Sequence, residues 1–374
     1  MHLTLLVPEL IWPEPADQFT LGKLAAPGLE WLLARARLDR QPRRAFENTL
    51  AECCGLADAP FGALRLLGEG FAEAADGHWL CADPVHLRFH QERIVLADAG
   101  AFEIEEAEAQ SLVTALNAEF ADIGEFRLGD ARRWYLRLNT AVAHPVAPLS
   151  AIAGRRVDGE LNGSALPLTR WLNEVQMFLH AHPVNEQREN TGQPAINSLW
   201  LWGGGSLPGK TGDRKTGDRP RFSKENENRG LSPAFPAFRP AFSQPAFSGI
   251  CSDNPLAVGL AQVSGTPLQP RPATFAEFLP QAGERPLVVL DQLLPRVLYE
   301  DGDGWRTAFE TMENDWFAPL KKALGNQIER ITLIAPCVYG ELHYDITAGE
   351  RWKFWKKSRP LPAIAEQLAG QITT

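Results

Sequence analysis

The apolar positions of this chain fall into two kinds of run. Leu3–Val7 is short, almost continuously apolar and stopped by Pro8, the pattern of a strand buried on both faces. Leu287–Leu290, held between Pro286 and Asp291, and Ile331–Ala335, read as a final buried strand, repeat that pattern, and Ser198–Trp202 reads as another strand. Elsewhere the period changes to that of a helix. Gly28–Arg37 puts Leu29, Leu32, Leu33 and Ala36 on one face, and Leu168–His180 gathers Leu168, Trp171, Leu172, Val175, Phe178 and Leu179. Thr307–Leu324 predicts a further helix, and Glu47–Leu56 and Gly62–Leu67 shorter ones. Strands separated by helices predict an α/β fold, a mostly parallel sheet flanked by helices.

Between about residues 76 and 145 the pattern is different. Trp79–Ala82, Val85–Phe89 and Arg93–Leu96 read as strands, and Phe126–Leu128 and Trp134–Leu138 as two more. The amphipathic helix Ile104–Phe120 lies between the two groups, with acidic residues in its first turns. The expectation is a small α+β domain, 76–145, inserted into a larger domain made of 1–75 and 146–374. Gly203 to Gly249 has no such periodicity. It repeats Lys-Thr-Gly-Asp-Arg at Lys210 and Lys215, and Pro-Ala-Phe at Pro233, Pro236, Pro240 and Pro245. A disordered insertion is expected over about 206–248.

Charge and composition narrow the functional classes. The chain has 374 residues, 44% hydrophobic and 22% charged, with net charge -9. That is a globular composition, and the negative balance argues against nucleic acid and anionic membranes as partners. The basic, aromatic stretch Arg351 to Arg359 is the local exception. Cys53, Cys54, Cys81, Cys251 and Cys337 are odd in number and lack CxxC spacing, which predicts reduced thiols. The amino terminus reads as a buried strand rather than a signal peptide, and no apolar run reaches the ~20 residues of a membrane span. A cytoplasmic location follows as the expectation.

Candidate chemistry is sparse. Gly204-Gly205-Ser206-Leu207-Pro208-Gly209-Lys210-Thr211 fits a phosphate-binding loop formally. A helix must follow such a loop, and the glycine-rich repeat ending at Pro220 does not predict one. His86 and His90 would share a strand face with Arg88 between them, a poor start for a metal site. The densest cluster of polar residues is His182-Pro183-Val184-Asn185-Glu186-Gln187-Arg188. It runs on into Gly192-Gln193-Pro194-Ala195-Ile196-Asn197 and Leu199-Trp200-Leu201-Trp202-Gly203. His182, Asn185, Arg188 and Asn197 are therefore the ligand-binding candidates. Arg188 would offer bidentate contacts to a phosphate or carboxylate. The competing reading is structural: His182 and Asn185 cap the preceding helix, and Asn197 binds backbone.

These same residues, with Asp253–Gly265 and Arg133-Trp134-Tyr135-Leu136-Arg137, resemble the archaeal-type cofactor-independent phosphoglycerate mutases of the alkaline phosphatase superfamily. Leu5 to Leu10 and the run Trp79 to Arg88 resemble more closely the bacterial RpfE-type regulatory proteins. The resemblance implies an alkaline-phosphatase-like domain with an inserted α+β domain. It also implies two divalent metals and a serine nucleophile in the active members. This chain departs from that pattern. The first strand ends in Pro8-Glu9 where the enzymes have Asp-Gly, and Pro336-Cys337-Val338-Tyr339 follows the last core strand where they have Asp-His. The expectation is a noncatalytic regulatory or ligand-binding protein with no cofactor, whose partner is a phosphorylated small metabolite or a regulatory protein. The alternative is an active metal-dependent phosphoglycerate mutase or phosphatase that holds Mn, Mg or Zn with divergent ligands, for which Glu9, Asp291 and His343 are the candidates.

Overall fold

The computed structural model describes residues 1–90, 93–142, 144, 146–153, 168–207 and 245–371. Most of the insertion expected over 206–248, and the phosphate-loop match from Pro208 onward, lie outside the described residues. In chain order the main elements begin with β1 (His2–Leu6), α1 (Pro27–Arg35), β2 (Arg37–Gln41), α2 (Phe46–Cys53) and α3 (Phe61–Gly68). There follow β3 (His78–His90), β4 (Arg93–Asp98), α4 (Glu106–Glu119), β5 (Gly124–Asp130) and β6 (Arg133–Leu138). Next come α5 (Thr169–His180), α6 (Pro183–Asn190), β7 (Ser198–Gly205), β8 (Gly249–Cys251), α7 (Pro255–Ser264) and β9 (Leu268–Gln269). The chain continues with β10 (Pro286–Val289), α8 (Gly302–Met312), α9 (Ala318–Ala323), β11 (Arg330–Cys337), β12 (Gly340–Thr347) and α10 (Leu361–Gly370).

One sheet has the order β2-β12-β11-β1-β10-β8-β9. Its central strands are parallel: β1 lies between β10 and β11, and β8 joins β10 and β9. Two antiparallel strands, β12 and β2, extend one edge. The architecture is thus the mixed α/β fold with a mostly parallel sheet that the periodicity predicts. Two differences have plain causes. Ile331–Ala335 is not the last strand, because Cys337 and Gly340 close a tight hairpin into β12. β2, Arg37-Leu38-Asp39-Arg40-Gln41, has almost no apolar signal because it is an edge strand with little to bury.

The second sheet is antiparallel and centred on β3. This strand is continuous where two were expected, and it pairs with β4, β6 and β7. The placement of β7 corrects the sequence reading. Ser198–Gly205 joins β3 rather than the parallel sheet, so this sheet draws on chain beyond residues 76–145. Helix α5 also packs there, with Trp171 against Phe120 and Phe126.

The two sheets enclose a middle layer. Alternation along the strands sorts side chains between cores. Leu3, Leu5 and Val7 enter the outer core with α1, α8 and α10, whereas Leu6, Leu287 and Val289 face the middle layer. From the second sheet Trp79, Cys81, Tyr135, Trp200 and Trp202 face the same layer, while Leu80, Trp134, Leu136, Leu199 and Leu201 face outward against α4 and α5. Helices α2, α3 and α7 fill the space between.

Helix α3 is the joint. Its Gly62 lies on the backbone of Leu80, and its far side crosses α7 where Gly68 meets Pro255 and Gly259 meets Leu64. A Cβ on Gly259 would sit 1.9 Å from the Leu64 carbonyl oxygen. Arg65 leaves the same helix and binds Asp83 of β3 through both carboxylate oxygens, at 3.0 and 2.6 Å. The Trp202 indole N–H donates to the same carboxylate at 2.8 Å, and Arg65 Nε donates to the Tyr135 hydroxyl at 3.0 Å.

Gly259→Ala is expected to destabilise the fold by about 1–3 kcal/mol, the usual magnitude for overpacking a close crossing. Urea unfolding monitored by tryptophan fluorescence checks it; a midpoint equal to the parent's would contradict the close crossing.

Candidate ligand-binding site

In an open α/β sheet, ligand sites form beyond the carboxyl ends of the strands, where neighbouring connections diverge. Here that place is beside β1. β10, β8 and β9 lie on one side of β1, and β11, β12 and β2 on the other. Glu9 lies just past the end of β1. Its backbone adopts φ 54, the left-handed region that a residue with a side chain seldom occupies. Two hydrogen bonds fix it there: Glu9 N–H donates to the Pro336 carbonyl at 2.9 Å, and the Trp305 indole N–H donates to the Glu9 carbonyl at 3.0 Å.

The Glu9 side chain is 5% exposed. The Val338 N–H donates to its carboxylate, but Oε2 is buried without a hydrogen-bond partner among the described residues. Burial pushes its pKa up to about 7, against the opposing pull of the Arg43 charge and the Val338 amide. The carboxyl therefore keeps its proton to higher pH than an ordinary glutamate. It borders a cavity of about 230 Å³ shared with Pro8, Arg43, Arg44, Phe46, Ser150 and Pro336. Arg43 is exposed at this mouth, and Arg44 pairs with Glu52. The Ser150 hydroxyl donates to Glu47, whose carboxyl is buried and raised in pKa for that reason. The exposed Arg43 guanidinium, with Arg44 shared with Glu52, and a buried acid around a small hollow can hold an oxyanion. The arginines supply charge, and the neutral form of Glu9 supplies a donor.

Sequence reasoning did not select Arg43, Arg44, Glu47 or Ser150. The available signal was the basic run Arg40-Gln41-Pro42-Arg43-Arg44 in an acidic chain. A larger cavity of about 530 Å³ lies beside Trp12 and carries the carboxylates of Glu14, Asp17, Glu300 and Asp303. Its four carboxylates repel an anion, and Asp17 among them is held by the Phe19 and Thr20 amides and the Thr20 hydroxyl.

The metal candidates do not assemble. Asp291, just past β10, accepts from the Asn254 amide at 2.9 Å. His343 lies within β12, and its Nε2 bonds Glu341 at 2.6 Å, while Glu341 also accepts from the Thr49 hydroxyl at 2.5 Å. Among the described residues no three His, Cys, Asp or Glu side chains form a group that could hold a metal ion. The donor set there does not fit a metal centre.

The cluster from His182 to Asn197 lies elsewhere, on the outer side of the second sheet. His182 is the N-cap of α6, with Nδ1 accepting from the Val184 amide, and burial lowers its pKa. Asn185, 1% exposed, donates to the carbonyls of Leu179 and Ile196 and accepts from the Ile196 amide. Arg188, also 1% exposed, donates to the Pro194 carbonyl (2.8 Å), the Glu108 carboxylate (2.5 Å) and the Glu103 carbonyl (2.8 Å). Asn197 bonds both the amide and the carbonyl of Leu87 in β3. Asn185 does satisfy the carboxyl end of α5, as its spacing allowed, and all four side chains are used within the protein.

No protein-family model matches the chain. Over 151 residues it is 36% identical to 2,3-bisphosphoglycerate-independent phosphoglycerate mutase 2 of Methanothermobacter thermautotrophicus, covering 38% of this chain and 37% of that protein. The match thus spans little more than a third of that curated relative's length. Two solved structures align along the chain. The cofactor-independent phosphoglycerate mutase from Thermoplasma acidophilum has a TM-score of 0.41 at 16% identity, covering 99% of each chain. The PH0037 protein of Pyrococcus horikoshii has a TM-score of 0.48 at 12% identity, covering 100% of this chain and 96% of that one. Over that 151-residue stretch, and no further, the chain is similar in sequence to the Methanothermobacter phosphoglycerate mutase.

Two substitutions separate the two regions. Between the ordinary carboxyl value of 4.5 and about 7, folded Glu9 keeps a proton that the unfolded chain releases. Stability is therefore lost as pH rises through that window, by about 3 kcal/mol in all. Glu9→Gln should flatten this dependence and raise stability at pH 8, as read by urea midpoints at pH 5 and pH 8; an unchanged slope would refute the assignment. Arg188→Leu strands Glu108 and two carbonyls, and should cost about 3 kcal/mol or more in the same assay.

Proposed function

We propose that the chain is a noncatalytic, ligand-binding or regulatory protein that takes a small phosphorylated metabolite into the cavity beside Glu9. The observation that carries this reading is the placing of Arg43 and Arg44 around one cavity with a buried carboxyl, one of whose oxygens has no hydrogen-bond partner, at the end of β1. The phosphate oxygens lie against the guanidinium groups, and protonated Glu9 donates to one of them. The 151-residue likeness to a phosphoglycerate mutase supports a phosphorylated ligand. The departures at Pro8-Glu9 and Pro336-Cys337 support binding without turnover, and align the chain with the RpfE-type proteins its opening strand resembles. A regulatory protein partner would then read the liganded state.

The same likeness favours one second reading, an active metal-dependent mutase or phosphatase, although Glu9, Asp291 and His343 form no metal-holding group among the described residues. Residues outside the described set would have to complete such a centre.

Thermal-shift titration with 3-phosphoglycerate, sugar phosphates and inorganic phosphate tests the first reading. A saturable rise in Tm for a phosphorylated compound, lost in Arg43→Ala and Arg44→Ala but retained in a surface variant, is the expected result. No shift, or a shift indifferent to both arginines, would sink it. Metal analysis of the purified chain, followed by assay with Mn²⁺ and 3-phosphoglycerate, tests the second reading. Stoichiometric metal with turnover would establish it at the expense of the first.

A further inference from the structure

Among the described residues the strongly exposed aromatic side chains are Phe19, by itself, and one concentrated group. Trp352, Phe354 and Trp355 are 75%, 84% and 64% exposed and lie within four consecutive positions. Arg351, Lys353, Lys356, Lys357 and Arg359 are interleaved with them, and Glu350 is the single carboxylate of the stretch from Ala348 to Pro360. A chain of net charge -9 therefore presents, at one place, a cationic surface tipped with large apolar rings.

The segment is held, not trailing. It follows β12 through a 3₁₀ turn, Ala348–Trp352, and ends where Leu361 and Leu368 of α10 enter the outer core. Lys353 bonds Glu350 at 2.6 Å, Arg359 bonds Gln367 at 2.6 Å, and the Leu361 amide donates to Glu30 at 3.1 Å. The apolar face of α10 is turned inward, so the exposed rings are not an accident of a displaced helix. The patch also lies at the opposite edge of the sheet from the cavity. β12 begins against Cys337, at the carboxyl end of β11, and finishes with Thr347 against Arg330, at the amino end.

We propose that this patch, Trp352, Phe354 and Trp355 with Lys353, Lys356 and Lys357, docks the protein on an anionic lipid surface. Indole and phenyl rings settle at the headgroup level of a bilayer. Lysine stems lie along apolar material there while their ammonium groups reach the lipid phosphates. The positive charge draws the patch to anionic lipid within a Debye length, and the rings retain it. Docked in this way, the cavity beside Glu9 faces away from the membrane.

Other occupants fit less well. A second copy meeting the patch on a two-fold axis would bring the same five cations against one another. A single strand of nucleic acid needs a basic groove for its backbone and ring faces on which successive bases stack. Here the rings stand on a short turn between two elements, and Phe354 meets Trp355 edge-to-face at 81° and 5.3 Å.

The test is co-sedimentation of the full chain with vesicles of phosphatidylcholine alone and of phosphatidylcholine with phosphatidylglycerol. The expected result is at least a tenfold preference for the anionic vesicles, weakening as salt is raised, and lost in both F354S/W355S and K356E/K357E. Phe354, Trp355 and Lys357 are exposed, whereas Lys356 is half-buried beside the Arg35 carbonyl and Glu350, so an unchanged urea midpoint is required of each variant. Equal sedimentation with both vesicle types, or anionic binding that survives F354S/W355S, overturns the proposal. So does an absence of vesicle binding, whether the patch then proves to bind a single-stranded oligonucleotide or to mediate self-association that the aromatic pair of substitutions abolishes.

Discussion

Arg65 carries a full positive charge into the layer between the two sheets, and Asp83 meets it with both carboxylate oxygens. Trp202 and Tyr135 complete the shell, and the guanidinium lies 4.8 Å from the Tyr135 ring centroid and 5.3 Å from that of Trp202. One ion pair thereby joins helix α3 to three strands of the second sheet at once. Desolvating two charges gives little net stability, but each partner left alone would cost about 3–5 kcal/mol. The pair therefore admits one placement of α3 on that sheet. Gly68 and Gly259 then bring α3 onto α7, and α7 belongs to the parallel sheet through β8. The relation between the sheets depends on this chain of contacts.

The same economy governs buried polar groups elsewhere. Glu313, in the π-helical turn Glu313–Phe317 after α8, accepts from the Gly28 and Leu29 amides at 2.6 and 3.0 Å. It caps α1, which has no capping side chain of its own. Arg188 and Asn185 likewise spend their donors on carbonyls and on Glu108. Against that background Glu9 stands out. It is buried, held in a left-handed backbone conformation by bonds from two other elements, and left with an unpaired oxygen. Strain and an unsatisfied acid beside two arginines are features that a fold retains where something binds.

How much was legible beforehand depended on whether a signal was local. The buried strands at Leu3, Leu287 and Ile331, and the helices at Gly28, Glu47, Gly62, Ile104 and Leu168, could be read because burial imposes a period on neighbouring residues. β2 and β12 were missed or undervalued because an edge strand and a hairpin partner take their identity from the strand beside them. Of the candidate site, Glu9 alone was legible, and only through the family resemblance as a candidate metal ligand. Arg43, Arg44 and Ser150 were not, since nothing in their own neighbourhood in sequence ties them to it.

The sequence by itself determined the class of fold, the strand and helix periods, the acidic balance and the aromatic, basic stretch near residue 355, because each is a property of neighbours along the chain. Tertiary structure alone decided that β7 closes the second sheet, that Arg188 is a brace, and that Glu9 meets two arginines across a hollow. Those facts rest on contacts between residues tens to hundreds of positions apart, and the pattern of a sequence carries no register for pairs so distant.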